Sequence, residues 1–258
     1  MTATPESNQR LDDRYHFLLR KLHSLSGIVP IGAFLVEHLL TNSMAFRSKW
    51  KFNEDVHWIH NLPFLLIVEV LFIFLPLLFH ACYGIRIALT AEPNPTTYPY
   101  LSNWRYTLQR VSGYIAFVFI IVHLLKYRFA HVIGWGPPFI REGNDYFEIT
   151  RRGLMEWTPF GYAVPFPVTF AMYYVGLLSA VFHFCNGIWS FCISWGIAVG
   201  ARAQRRIGFA AGGLAVVLLA WGTLSLYAFR FAAPAASITL PMQVQQSAGP
   251  SSERLAQQ

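Results

Sequence analysis

Five apolar blocks, each roughly 20 residues or longer, divide this chain, and nothing constrains its fold more tightly. A stretch of that length matches the thickness of a bilayer when wound into a helix. Within hydrocarbon the backbone must satisfy its own hydrogen bonds, so each block reads as a membrane-crossing helix. The blocks run from about Leu22 to Met44, from Pro63 to Leu89, from just after Trp104 to His131, from Val164 to Val199 and from Gln204 to Phe231. Composition agrees: 13% of residues are charged, against about 25% in soluble domains. The expected fold class is all-α integral membrane protein with five transmembrane helices.

The formal charge of +7 does not point to nucleic acid, because the basic residues are scattered through short segments between the blocks. Leaving out the long third connection, they favour the side that carries Arg20, Lys21 and Arg86, which places the N-terminus in the cytoplasm. The expected organisation is a cytoplasmic segment 1–21, a membrane domain 22–232 with a long outer connection 132–163, and a polar, disordered outer tail 233–258. Residues 1–21 contain Glu6, Asp12 and Asp13 and read as neither signal nor transit peptide. Pro76 should kink the second helix slightly. Gly208-x-x-x-Gly212 in the fifth marks close helix packing.

A heptapeptide in the fourth block, Phe182-His183-Phe184-Cys185-Asn186-Gly187-Ile188, recurs nearly unchanged in the second as Phe79-His80-Ala81-Cys82-Tyr83-Gly84-Ile85. A histidine in hydrocarbon must find a partner for its ring nitrogens, and a glycine four residues on clears the helix face one turn along. Imidazole above a cleared face suits a flat porphyrin. Two more embedded histidines, His38 and His123, share a His-Leu-Leu context after a Ser-Gly pair about three turns earlier. The helical rise puts His38 and His123 about 26 and 20 Å from the inner boundary, and His80 about 9 Å from Arg86. The levels therefore pair His38 with His123 at the outer side and His80 with His183 at the inner side. The first four helices would form a bundle around two stacked bis-histidine haems, roughly 10 to 15 Å apart along the normal. With no Cys-x-x-Cys-His in the sequence, the haems would be b-type. Cys82, Cys185 and Cys192 all lie in apolar helices, and no disulfide is expected.

A single membrane histidine often does no more than bond a neighbouring carbonyl, but four in matched pairs argue for metal. Copper or zinc fits less well, because the two levels are too far apart for one ion and only Glu37 offers a nearby carboxylate. His23, Ser24, Arg20 and Arg110 are candidates to meet haem propionates. Glu69, about 16 Å from His80 toward the outer side, is the first candidate for exchanging protons with a quinone, and Glu37 the second. His16, His57, His60 and His131, with Trp104, Trp189 and Trp195, read as interfacial.

Several runs carry a family resemblance: Arg20-Lys21-Leu22-His23-Ser24-Leu25 through Val36-Glu37-His38-Leu39; Phe74-Leu75-Pro76-Leu77 with His80 and Gly84; Leu108-Gln109-Arg110-Val111; and Val181-Phe182-His183-Phe184 with Asn186-Gly187-Ile188-Trp189-Ser190-Phe191. Together they resemble the cytochrome b558 subunit of succinate dehydrogenase, the single-chain dihaem kind of bacilli, related to the fumarate reductase cytochrome of epsilonproteobacteria. The likeness spans residues 14 to 232, and its axial ligands fall on His38, His80, His123 and His183. It does not extend to the N-terminal extension, the 132–163 connection or the tail. It implies a multi-pass subunit of the bacterial cytoplasmic membrane that anchors a flavoprotein and an iron-sulfur subunit. The docking surface would be segments 8–21, 90–103 and 200–205, and electrons would pass through two haems b to menaquinone or another quinone. The alternatives are the menaquinol:fumarate direction, a dihaem quinone-reactive cytochrome of another respiratory complex such as a nitrate reductase or hydrogenase, a haem carrier, and a structural anchor without haem.

Overall fold

The computed structural model describes residues 5–90, 100–135 and 145–231, with side chains from Arg14 onward and without those of residues 101 and 102. Every regular element among these residues is helical; the one β contact is an isolated bridge between Trp157 and Val164. Five helical stretches are long and apolar enough to cross a membrane: Arg14–Phe46, Leu65–Leu89, Asn103–Lys126, Phe166–Ser194 and Ala201–Phe231. The chain is an all-α, multi-pass membrane protein.

The first crossing combines α1 (Pro5–Ile28) and α2 (Pro30–Ser43). Pro30 brings no N–H, yet Val29 N–H still bonds Leu25 O at 2.9 Å and Ala33 N–H bonds Val29 O at 3.1 Å, so the helix continues across the proline. Helix α1 starts well before Leu22, so the expected cytoplasmic segment and the first crossing share one helix. The second crossing is a short α4 (Leu65–Val68), a π-helical stretch Glu69–Phe74, and α5 (Leu75–Leu89). The widened π turn lies directly before Pro76, whose missing N–H and bulky ring spoil regular bonding to the preceding turn. The irregularity expected at Pro76 is therefore spread over the residues N-terminal to it.

The third crossing is α6 (Leu101–Lys126), the fourth α8 (Phe166–Ser194) and the fifth α9 (Ala201–Phe231). Helix α6 stops at Lys126, short of the expected His131, and residues 127–135 form turns. Helix α8 likewise ends at Ser194 rather than Val199. Helix α6 packs along α8, α8 along α9, and α2 along α9, while α5 leans on α1 and α2. Helix α5 makes no comparably close backbone approach to α6 or α8. The space between them is left to side chains, the histidines among them. The close approach of α9 to α8 occurs at Gly222, where a Cβ would fall 2.4 Å from Leu177, whereas one on Gly212 would meet open space. Of the Gly208/Gly212 motif, Gly208 faces Trp189 of α8 at ordinary contact distance, 3.7 Å from an added Cβ, and Gly212 takes no part in the crossing within this subunit.

Two connections are helical where no helix was expected. Helix α3 (Lys49–His60) follows the first crossing, capped by Ser48, whose Oγ accepts from Lys51 N–H at 3.0 Å. Helix α7 (Tyr146–Met155) lies in the long third connection, capped by Asp145, which accepts from Glu148 N–H at 3.1 Å. Asn53 ties the two together, donating to Asp145 at 2.9 Å and accepting from Phe147 N–H at 2.8 Å, beside a Lys49–Asp145 ion pair. Phe52, Val56, Phe147 and Leu154 from these helices pack on Tyr173 and Phe229 of α8 and α9. The two helices form a cap over the end of the bundle opposite the N-terminus. The 233–258 tail and most of the 90–103 segment lie outside the described residues.

Candidate functional site

The four embedded histidines meet in two pairs. His38 of α2 and His123 of α6 have ring centroids 5.8 Å apart and planes at 81°. His80 of α5 and His183 of α8 have centroids 6.1 Å apart and planes at 90°. Two imidazoles bound through nitrogen to one metal atom, at about 2 Å each, place their ring centres roughly 6 Å apart. Both separations suit that arrangement.

At the N-terminal end the rings are held by the backbone. His80 Nδ1 lies 2.9 Å from His23 O, and His183 Nδ1 lies 2.9 Å from Gln109 O. A carbonyl only accepts, so each Nδ1 carries the proton and each Nε2 keeps its lone pair. That is the tautomer and anchorage of a metal-bound histidine. Room for each ring comes from a glycine on the opposing helix. A Cβ on Gly27 would fall 2.5 Å from His80 Cε1, and one on Gly113 would fall 2.9 Å from His183 Cε1. The Ser-Gly pairs noted before His38 and His123 thus seat the histidines of the other level. His23-Ser24-Leu25-Ser26-Gly27 and Gln109-Arg110-Val111-Ser112-Gly113 are equivalent segments, each offering a carbonyl and, four residues on, a glycine.

The equivalent positions differ in their side chains. The His23 ring stacks on His80, with centroids 4.0 Å apart and planes at 13°. It fills the face that Gly84 clears, where a Cβ would lie 3.0 Å from His23 Cε1. The space expected for a porphyrin at that glycine is therefore occupied by imidazole. Gln109 instead donates to His183 O at 2.9 Å and accepts from Asn186 at 2.8 Å, while Asn186 Oδ1 accepts from Arg105 Nε at 2.8 Å. Arg105 lies 3.7 Å over the Trp189 ring, whose Nε1 donates to Gln204 O at 3.1 Å. Reading the chain by motif singled out neither Gln109 nor Arg105 for this task; the five-residue repeat was the available signal.

At the capped end the rings sit among aromatics. Phe34 lies 5.4 Å from His38, and Phe119 stacks beside His123 at 5.7 Å. Tyr173 Oη is 3.4 Å from His123 Nδ1.

The remaining candidates are dispersed. Arg110 sits 3.9 Å over the Tyr106 ring, with a buried Nη2 that meets no acceptor among the described residues. His23 Nδ1 is orphaned in the same way. Both are free to meet an acidic group between the helices, which fits a propionate-bearing cofactor. Ser24 is engaged, donating to Lys21 O at 2.9 Å and accepting from Trp195 Nε1 at 3.0 Å. Arg20 lines a surface hollow with His16, Tyr83 and Arg86 rather than the histidine pairs. Glu69 is ion-paired with Arg128 at 2.9 Å. Burial holds the neighbouring His60 imidazole below its ordinary range. Glu37 is exposed and accepts from Thr41 at 2.7 Å. Trp195 and Trp189 tie helices together, which an interfacial reading does not capture.

No family model matches the chain. The succinate dehydrogenase cytochrome b558 subunit of Bacillus subtilis (strain 168) is 38% identical to it over 213 residues, 83% of this chain and 96% of the relative. Identity of that extent, together with the five crossings, shows that the chain belongs to the family of succinate dehydrogenase cytochrome b558 subunits.

Proposed function

We propose that this chain is the membrane anchor of a succinate:quinone oxidoreductase and carries electrons from an iron-sulfur subunit through two haems b to a quinone. His38 and His123 would hold one haem, His80 and His183 the other. Bound haem supplies reversible one-electron exchange at its iron. The chain's own part is to fix the imidazoles. The carbonyls of His23 and Gln109 accept hydrogen bonds from Nδ1 of His80 and His183, which would leave each Nε2 lone pair for the iron. Arg110 and His23 bring donors without acceptors, suited to propionates of the haem at the N-terminal end. The observation that carries this reading is the meeting of the four histidines in two pairs, each close to 6 Å between centroids.

The flavoprotein and iron-sulfur subunits would dock on the N-terminal side, which we assign to the cytoplasm of a bacterial cell. Quinone would react at the capped end, near His38 and His123. There Glu69 would exchange protons after loosening from Arg128, with Glu37 a more exposed second. The relative is named for succinate dehydrogenase, which favours succinate oxidation over the reverse direction. Dithionite-reduced minus air-oxidised spectra of the purified complex test the reading, with haem counted per flavin, then succinate and a menaquinone analogue added in turn. Two low-spin b haems per flavin, with at least one reduced by succinate and reoxidised by quinone, are expected. A haemless complex, or haems indifferent to succinate, would overturn it.

A further inference from the structure

Lys126 closes α6, three residues past His123, and its side chain is 6% exposed. Its Nζ is shielded from solvent and meets no hydrogen-bond acceptor among the described residues. Three aromatic rings stand around it, with centroids 4.7 Å (Trp157), 4.9 Å (Tyr173) and 5.8 Å (Tyr127) from Nζ. They come from separate parts of the chain: Tyr127 follows α6, Tyr173 belongs to α8, and Trp157 lies just past the cap helix α7. Two further donors near this cage are orphaned. Trp157 Nε1 is buried with no acceptor among the described residues, as is the Thr169 hydroxyl, one helical turn from Tyr173 on α8.

Aromatic faces offset the charge of an ammonium but accept none of its three N–H bonds in full. A buried amino group left so is costly unless an acceptor, best an anionic one, comes within reach. A purely structural lysine would be expected to reach the surface along its four-carbon stem or to pair with a carboxylate. Lys126 does neither among the described residues. Two rings of the cage also face His123, with centroids 5.8 Å (Tyr173) and 5.3 Å (Tyr127) from it, so the cage adjoins the His38–His123 pair.

We infer that Lys126, walled by Trp157 and Tyr173, is a binding site for an anionic oxygen carried by a cofactor beside His123. Two sources share that chemistry: a carboxylate of the haem that His38 and His123 would hold, and the oxygen of a quinone head group, which gains negative charge when reduced. The inference rests on the dihaem reading for the first source and on a quinone at this end for the second.

The test compares wild-type complex with K126Q, recording haem per flavin, the midpoint potential of each haem, and calorimetric binding of a quinone-analogue inhibitor. Lys126 is not a ligand, so both haems should remain. If the oxygen is a haem carboxylate, loss of the cation disfavours reduction of one haem by at least tenfold, a fall of 59 mV for one electron, with inhibitor binding unchanged. If it belongs to the quinone, the potentials stay and inhibitor affinity falls at least tenfold. Either result supports the site and names the source. Unchanged potentials and unchanged inhibitor binding would overturn it. Where K126Q does not assemble, K126M, which removes the cation and keeps an unbranched side chain of similar length, is read by the same criteria. If wild-type complex proves not to hold two haems, the dihaem reading fails, and the inhibitor arm, which needs no haem count, decides the site alone.

Discussion

Gly27→Ala should cost the complex one haem and leave the other. The added Cβ would sit 2.5 Å from His80 Cε1, where carbon atoms in ordinary contact keep about 3.5 Å or more. The ring must therefore withdraw by about 1 Å, some five times the ±0.2 Å tolerance of a metal–ligand distance. It has little freedom to do so, because its Nδ1 is held 2.9 Å from His23 O and its ring stacks on that of His23. Overpacking costs about 1–3 kcal/mol, and the strained hydrogen bond adds about 1 kcal/mol. A sum of about 2–4 kcal/mol weakens haem retention at that level by roughly 30-fold or more. The assay is the pyridine haemochrome content per flavin with low-temperature difference spectra. One haem per flavin is expected, with the remaining band that of the His38–His123 level. Gly113→Ala, whose Cβ would lie 2.9 Å from His183 Cε1, should act in the same direction and more weakly. A G27A complex with two haems and unshifted spectra would refute the seating of His80 on Gly27.

Other substitutions probe separate parts of the site. Gln109→Leu removes the amide that bridges His183 O and Asn186, and is expected to shift the potential of one haem while the two-haem stoichiometry persists, as read by redox titration. Glu69→Gln should slow quinone reduction several-fold with both haems retained; an unchanged rate at full haem content would remove Glu69 from the proton path. Glu148 is held down to about 2 by its hydrogen bonds to Arg151 and Arg152. A carboxyl depressed on folding stabilises above its unfolded value, about 4.3, and loses that contribution as pH falls through about 2. The Tm difference between wild type and E148Q should therefore be full at neutral pH, about 1 kcal/mol or less for ion pairs within one helix, and shrink below about pH 4.

What could be read from the chain follows from which forces act locally. Crossing helices were legible because hydrocarbon forces long apolar runs, and helical rise with the repeated heptapeptide put His80 and His183 on one level, where their rings meet. Helix α7 was hidden within a stretch rich in glycine, proline and charge, although Asp145 with Glu148 three residues on is a capping signal. Helix α3 has the same character, with Ser48 as its cap. The role of Gly27 was hidden for a different reason. A glycine in a sequence tells that space is needed, and only the packed bundle tells which side chain needs it. The face at Gly84 was expected to admit a porphyrin, yet His23 fills it. Nor could composition show that Lys126, one basic residue among many, lies buried in an aromatic cage.

The pairing of the histidines is tested most directly by low-temperature EPR of the oxidised complex in four single variants, His38, His80, His123 and His183 each replaced by Met. Wild type should show two low-spin ferric signals. Loss of one and the same signal in H38M and H123M, and of the other in H80M and H183M, is the result that the two ring pairs predict. A shared signal lost in H38M and H183M, or a single signal in wild type, would contradict it.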